Sequence, residues 1–533
     1  MAQAKTKTAA TTARQSPPDY RIIYNWDGAP LDYSEIPFTT EKFLEKVYAI
    51  AKDTQVGAMF WCVGSEHAEW PSKKIETLWT EDGKGYDSVR SMRHAEGVKK
   101  LFEGGNNPYQ AMVKRGHELG MAVYASVRMN DNHFYGTKPE EFKRLKKGSR
   151  LRRDHPEWLL SEMQVPEQRA IGSWNMAIAE VREHRLEYIT EACMQADWDG
   201  VELDWQRHAF HVPENDGYRL RYTLTDLQRA VRRMTDKIAQ KRGKPFYVAA
   251  RVSATLESCR RIGYDIEAWA KEGLCDIIIP AGCSGTDPDV EVEKFKKLVE
   301  GTGIKVYAGL DSLGRQDAKR LISGAAWKDG WVRAVAAGDW DRGVDGMYVF
   351  NWHGNEKGWR SLLTTIGSPD TLKGKDKVYA AIHRGPIAQD EPKRNAVNDR
   401  IYGETAVALY QTFAGEGPRF QVRVHDDVAA ESKAGKLKST ELHIEIEHFS
   451  SNGDKVDVWL DGKKIGEPKV RDVAAEDAGN PSDVSENKWL VWSLTPEQAS
   501  KGTHVIKAVY AGRDPRMKKP MVISHVEIMV FYK

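Results

Sequence analysis

The sequence predicts an α/β chain: a (β/α)8 TIM barrel followed by a C-terminal antiparallel β-sandwich. Two observations carry this. A strand-then-helix unit recurs eight times before residue 370, and purely strand-like alternation replaces it after residue 400. The eight strands read Ile22–Trp26, Val56–Val63, Ala122–Met129, Gly200–Trp205, Phe246–Ser253, Asp276–Ala281, Lys305–Leu310 and Gly346–Trp352. Amphipathic stretches lie between them, among them Thr40–Lys52, Asn107–Leu119, Asn175–Gln195 and Tyr222–Gln240. Strand alternating with helix implies a parallel sheet, and eight units in about 350 residues match a closed barrel with long loops. An open doubly wound sheet is the competing fold, but no Gly-rich dinucleotide turn follows the first strand.

Beyond Arg384 the pattern changes. Residues 385–400 are polar with two prolines and read as a linker. The runs Ala406–Tyr410, Phe420–His425, Glu441–Phe449, Lys455–Leu460, Trp489–Leu494, His504–Tyr510 and Val522–Phe531 follow, with Asn452-Gly453 and Asp461-Gly462 as turns. They predict a sandwich of seven or eight strands, a module that buttresses the barrel or binds substrate. The expected division is a disordered leader at 1–19, a catalytic barrel at 20–384, the linker at 385–400 and the sandwich at 401–533.

Composition excludes several classes. Of 533 residues, 41% are hydrophobic and 29% charged, ordinary for a globular chain, and no apolar run is long enough to span a bilayer. A net charge of +2 gives no basis for nucleic-acid binding. Five cysteines without a Cys-x-x-Cys pair form neither a disulfide framework nor a zinc motif, although Cys259 and Cys283 follow neighbouring strands.

A barrel of this kind keeps its chemistry where its strands end. Those ends hold Asn25, Trp26 and Asp27; Trp61, Glu66 and His67; Arg128, Asn130, Asp131 and His133; Asp204, Gln206, Arg207 and His208; Arg251, Ser253 and Glu257; Cys283; Asp311; and Asn351, Trp352 and His353. Carboxylates and tryptophans dominate the set. Trp26, Trp61, Trp205 and Trp352 recur at one height, and indole faces stack on sugar rings while carboxylates, amides and imidazoles bond the hydroxyls. The expected ligand is therefore a polysaccharide or oligosaccharide; capping of the barrel core is the alternative use of the tryptophans.

The fourth strand is the densest motif: Asp199-Gly200-Val201-Glu202-Leu203-Asp204-Trp205-Gln206-Arg207-His208. Glu202, Asp204 and Gln206 share a face by the period of two. The stretch resembles the fourth-strand motif of alpha-amylase-type glycosidases, in which the aspartate is the nucleophile and a histidine closes the motif; Glu202 stands where that family carries arginine. It is also similar to the Asp-Gly-x-Asp-x-Asp-x-Glu motif of family-18 chitinases, but Gln206 replaces the essential acid there, which argues against chitinase chemistry. Over roughly residues 20–370 the chain resembles the family-10 glycosyl hydrolase-like proteins of polysaccharide-degrading bacteria. Their fourth strands read Asp-Gly-hydrophobic-Glu-Leu-Asp-aromatic-x-Arg, and Arg128-Met129-Asn130-Asp131 is similar to their third-strand ending.

These resemblances imply a retaining glycoside hydrolase with Asp204 as nucleophile, Glu257 in the place of the amylase-like acid/base, and Asp311 as a third carboxylate. Glu202 sits one layer deeper, where Asp204 raises one of the two pKa values unless Arg128 or Arg251 neutralises the pair. A non-catalytic glycan-binding protein and a metal-dependent hydrolase or lyase are the rival classes. Histidines at four strand ends favour the latter, but strand one lacks the His-x-His of amidohydrolase barrels, so neither metal nor cofactor is expected.

The substrate is expected to be anionic, a sulfated or uronic-acid glycan. Lys138, Lys143, Arg144, Lys146, Lys147, Arg150, Arg152 and Arg153 crowd the segment after the third strand against only Glu140 and Glu141. Residues 64–107, with Trp70, Trp79 and Tyr86, form a second wall in this reading and suggest an open cleft with endo action. Such a substrate places the protein outside the cell or in the periplasm, its export signal lying outside this sequence; the cytoplasm is the alternative.

Overall fold

Eight parallel strands close on themselves in chain order: β1 (Ile22–Trp26), β2 (Val56–Cys62), β3 (Ala122–Arg128), β4 (Gly200–Asp204), β5 (Tyr247–Ser253), β6 (Ile277–Ala281), β7 (Lys305–Asp311) and β8 (Gly346–Phe350), with β8 returning to β1. This computed structural model describes residues 15–533 except 27–38, 65, 80–85, 87, 106, 135, 146–147, 166–169, 283–285, 287, 289, 312–326, 351, 353–355, 382–404, 406 and 474–485. The expected TIM barrel and the sandwich that follows it are both present. No described helix is long and apolar enough to cross a membrane.

Alternation along each strand divides the barrel into two cores. One set of side chains, including Ile23, Phe60, Tyr124, Ala249, Ile279, Tyr307 and Tyr348, fills the lumen. The other, including Ile22, Trp61, Val201, Leu203 and Val349, meets the helices in a larger core. Tyrosines plug the N-terminal end: the Tyr20 and Tyr124 hydroxyls are 3.0 Å apart, and the Tyr20 N–H donates to the Tyr307 hydroxyl at 2.8 Å. That plug requires glycine at the start of β4 and β8, since a Cβ on Gly200 would enter the Tyr124 ring and one on Gly346 the Tyr307 ring.

The expected leader ends earlier than residue 19. The Ser16 hydroxyl donates to the Gly303 carbonyl at 2.8 Å and Asp19 pairs with Lys305 at 2.7 Å, so this stretch is tied to the barrel. Residues 1–14 and the expected linker at 385–400 lie outside the described residues.

The sandwich holds β9 (Lys377–Ala380), β10 (Val407–Leu409), β11 (Arg419–Val424), β12 (Leu437–Glu447), β13 (Lys455–Leu460), β14 (Lys463–Lys464), β15 (Lys469–Asp472), β16 (Lys488–Leu494), β17 (Gly502–Gly512) and β18 (Met521–Tyr532). One sheet runs β10-β18-β12-β16-β15 with β9 also on β18, and the other runs β11-β17-β13-β14. Phe420, Val422, Leu442, Ile444, Val458 and Ile528 fill the space between them. The strands absent from the expectation are β9, β14 and β15. The last two are exposed, lysine-bearing edges, which a hydrophobicity pattern does not reveal.

The position of β9 corrects the boundary at 384. Residues assigned to the barrel supply an edge of the sandwich sheet, where Ala380 opposes Glu527. Lys377 is buried there, its Nζ 3.0 Å from Asp426 and 2.9 Å from the Leu372 carbonyl. Met529, from the outer face of β18, joins the barrel core, so the two units share a packed seam.

Glu527 lies on that same outer face, fully buried, and neither carboxyl oxygen has a hydrogen-bond partner among the described residues. Burial, with help from Glu445 and against His525, pushes its pKa from 4.5 up to about 8. A carboxyl whose folded pKa is raised stabilises the fold fully below its unfolded value, and that contribution is lost as pH rises through the folded one. Thermal melts between about pH 5 and pH 8 are expected to show the wild type losing roughly 1 kcal/mol per pH unit relative to Glu527→Gln. Parallel pH curves for the two proteins would contradict this.

Candidate active site

Arg128, Asp204 and Arg251 stand side by side at the C-terminal ends of β3, β4 and β5, in register with one another. Ser126 and Glu202 form the layer beneath. Asp204 is fully buried. Its Oδ1 accepts the backbone N–H groups of Gln206 (3.1 Å) and Arg207 (3.0 Å), and both oxygens lie 3.2 Å from Arg251 Nη1. The carboxylate therefore shapes the turn that leaves β4 as well as pairing with β5. Arg251 continues over the Phe350 ring of β8, 4.0 Å from its centroid.

Glu202 occupies the deeper layer, as the sequence predicts. Asn25 Nδ2 donates to its Oε2 at 2.7 Å and also to the Ser126 hydroxyl at 3.1 Å. Burial and then the Asp204 charge raise its pKa from 4.5 to about 7, against the pull of Ser126, Tyr348 and Arg251. One strand thus presents an arginine-paired carboxylate above a carboxyl that keeps its proton close to neutrality. Ser126 and Tyr348 were not identified from sequence; the register of β3 on β4 announces Ser126, and no local signal announces Tyr348.

Asp131, just beyond β3, is a second centre. Arg128 Nη1 donates to its Oδ2 at 2.8 Å, while Oδ1 faces His208 Nδ1 at 2.9 Å, His133 Nε2 at 3.2 Å and Arg207 Nε at 3.6 Å. Burial acts to raise its pKa, but Arg128, the two histidines and Arg207 together hold it well below the ordinary carboxylate range. His208 is buried and pushed down to about 4, chiefly by desolvation, so its contact with Asp131 is not an ion pair at neutral pH. Its backbone is left-handed, φ 53°, an uncommon conformation for a residue with a Cβ. Asn130 latches the surrounding loops: its Nδ2 donates to the Trp174 and Phe210 carbonyls, both at 2.9 Å.

The tryptophans do not form a sugar platform. Trp26, Trp61 and Trp205 fall on the strand face opposite Glu202, and alternation turns them toward the helices. Trp61, Trp205 and Trp352 are buried in the large core, with Trp26 packed against it. Trp61 meets Phe43 edge-on at 5.5 Å and Trp26 in a stack at 6.1 Å. The Trp205 indole N–H donates to Gln228 at 3.2 Å, and Trp352 lies 4.6 Å from Trp359. Core capping is their role.

Glu257 lies in the first turn of the helix Leu256–Arg261, which Thr255 caps and which begins shortly after β5, and its side chain is exposed. Asp311 ends β7 opposite Phe350. Its side chain, together with Asp27, Asn351, His353 and Cys283, lies outside the described residues. Cys259 is a buried free thiol.

The two walls are only partly as expected. His67 lies 4.0 Å from Glu76, and Trp70 is buried with its indole on Glu191 at 2.9 Å. In the basic segment Arg152 turns inward, to Glu66 at 2.8 Å and over the Trp174 ring, and Lys138 pairs with Glu162 at 2.7 Å. Lys143, Arg144 and Arg150 are exposed. At the rim itself, His133 is 54% exposed and Arg207 22%.

Trp205→Ala removes a core side chain and strands the Gln228 amide. It is expected to lower stability by about 3–5 kcal/mol in urea unfolding. An unaltered unfolding midpoint would show that Trp205 is not a core residue.

No protein-family model matches the chain, and no curated protein matches its sequence. Several solved structures resemble it. A cycloisomaltooligosaccharide glucanotransferase of Paenibacillus sp. is 12% identical, over 96% of this chain and 58% of that one, with a TM-score of 0.33. Alpha-L-fucosidase isoenzyme 2 of Paenibacillus thiaminolyticus is 13% identical, over 66% of this chain and 49% of that one, with a TM-score of 0.38. An alpha-amylase of Geobacillus thermoleovorans is 12% identical, over 94% of this chain and 100% of that one, with a TM-score of 0.38. The chain spans little more than half the length of the first of these and about half that of the second. At such identities the likeness is one of fold, and the resemblance to family-10-like proteins remains one of motif.

Proposed function

We propose that the protein is a glycoside hydrolase whose reaction centre is the barrel mouth at β3, β4 and β5. The observation that carries this reading is the pairing on one strand of Glu202, whose pKa is pushed up to about 7, with Asp204, held by Arg251. They sit at the barrel end where such folds keep their catalysis, and a carboxyl whose pKa burial and a neighbouring charge push up to about 7 suits a proton donor. Glycosidic hydrolysis needs one carboxyl to protonate the leaving oxygen and one carboxylate to attack the sugar or activate water.

Glu202 takes the first role and Asp204 the second. Asp204 Oδ1 stays tied to the turn after β4, leaving Oδ2, beside Arg251, as the attacking atom; its attack expels the leaving oxygen, protonated by Glu202, and forms a glycosyl ester, and water activated by the deprotonated Glu202 then displaces Asp204, so that two inversions give net retention. Asp311, at the end of β7, is the third carboxylate of this reading. The substrate class is a glycan carrying carboxylate or sulfate groups. Arg207 and His133 support it at the rim, and exposed Lys143, Arg144 and Arg150 support it on the segment beyond.

Reducing-end release from neutral, sulfated and uronic-acid glycans tests the reading. Wild type is expected to act on an anionic member of the panel, with kcat lowered by roughly 10²–10⁴ in Glu202→Gln and at least as far in Asp204→Asn. Full activity in Asp204→Asn overturns the mechanism, and glycan binding without turnover in wild type favours a binding protein. The kcat/KM profile should fall above about pH 7, as Glu202 loses its proton, and that limb should be missing from the residual activity of Glu202→Gln. An identical alkaline limb in both proteins would remove Glu202 from the acid role.

A further inference from the structure

We propose that a cavity in the seam between barrel and sandwich is a binding site for a neutral sugar of one or two rings. It lies between the helix Trp327–Asp341 and strands β9, β11 and β17, and its volume is about 320 Å3. Ligand pockets begin at about 300 Å3, whereas a single bound water needs only about 10–15 Å3, so the space suits a small organic molecule. Among the described residues, none at the ends of β3, β4 and β5 lines it. The site therefore stands apart from the barrel mouth.

The helix supplies an apolar wall. Trp331, Ala334, Val335 and Gly338 recur at the spacing that places residues on one helix face. The Trp331 indole N–H donates to the Thr286 carbonyl at 3.2 Å, which fixes the ring. Val378 and Tyr379 of β9, both buried, extend the same surface. Gly338 is required there, since a Cβ would come within 2.9 Å of the His425 ring. Aromatic and aliphatic surface of this kind meets the apolar face of a sugar ring.

Strand β11 supplies the opposite wall, which is polar. Gln421, Arg423 and, just beyond the strand end, His425 are two residues apart and share a face, and Thr503 of β17 pairs across from Arg423. Amide, guanidinium, imidazole and hydroxyl together offer the donors and acceptors that ring hydroxyls take. Their charges are balanced. Arg423 Nη1 is 3.2 Å from Glu293, which also lies 3.5 Å from Arg342, itself 2.6 Å from Asp339. His425 Nδ1 faces Asp341 at 3.0 Å, and Lys501 offsets that carboxylate. Burial lowers the pKa of the imidazole, so His425 is uncharged at neutral pH and keeps Nε2 as an acceptor. Among the described residues no net charge is left for an ion to satisfy. The ligand that such walls select is polar and uncharged, with one apolar face.

Isothermal titration calorimetry of the full chain with glucose, galactose, mannose, xylose, maltose, cellobiose and lactose tests the assignment. At least one of these sugars should bind at one site per chain. Gln421→Ala and Arg423→Ala, both at exposed positions, should each weaken that binding roughly tenfold with unchanged thermal melts. Arg419→Ala, on the same face of β11 but outside the cavity, should bind as wild type does. Glucuronic acid and glucosamine, which carry a charge, should bind more weakly than the best neutral sugar. Failure of every neutral sugar to bind, wild-type affinity in either Gln421→Ala or Arg423→Ala, or tighter binding of glucuronic acid or glucosamine would each overturn the assignment.

Discussion

The buried pair of Asp204 and Arg251 is the interaction on which the barrel mouth depends. Across β4 and β5 it neutralises a carboxylate that solvent does not reach, and burying such a charge without a partner costs several kcal/mol. The same carboxylate accepts the two backbone N–H groups that turn the chain out of β4. That turn delivers Arg207 and His208 to Asp131. Burial and then the Asp204 charge push the pKa of Glu202, one layer below, up to about 7. One ion pair thus links the pKa of Glu202, the shape of the rim and the Asp131 cluster.

Strand parity explains most of what the site contains and lacks. Side chains two apart share a face, so Glu202 and Asp204 enter the lumen together, while Leu203 between them and Trp205 beyond them are sent to the helices. The same rule takes Trp61 and Trp26 out of the cleft. A row of tryptophans at one height on a barrel is therefore a ring of core residues when its parity opposes that of the polar row. The mouth is lined by charged and hydrogen-bonding groups, with the Phe350 ring beneath Arg251.

The sandwich is more than an appendage. Strand β9 crosses the expected boundary to pair with β18, and Met529 returns to the barrel core. His425 and Lys501, from the sandwich, both reach Asp341 at the end of the helix Trp327–Asp341. Apolar and ionic contacts along one seam couple the stability of the two units, with the buried Glu527 carboxyl set into it.

By itself, the sequence determined the eight strands and their order, the change of architecture near residue 400, and the layering of Glu202 beneath Asp204. All of these follow from local periodicity, and a strand's alternation is written in consecutive residues. It also selected the strand ends, where Arg128, Asp131, His208 and Arg251 do gather. Only the tertiary structure decided which of those ends meet. Glu257 follows a strand as directly as Asp131 does, yet it falls in the exposed first turn of a helix, whereas Asp131 is drawn to Arg128, Arg207 and His208. Lateral register and the path of a loop depend on contacts between residues far apart in the chain, such as Asp204 with Arg251 and Asp131 with His208, and periodicity along a single segment carries no record of them.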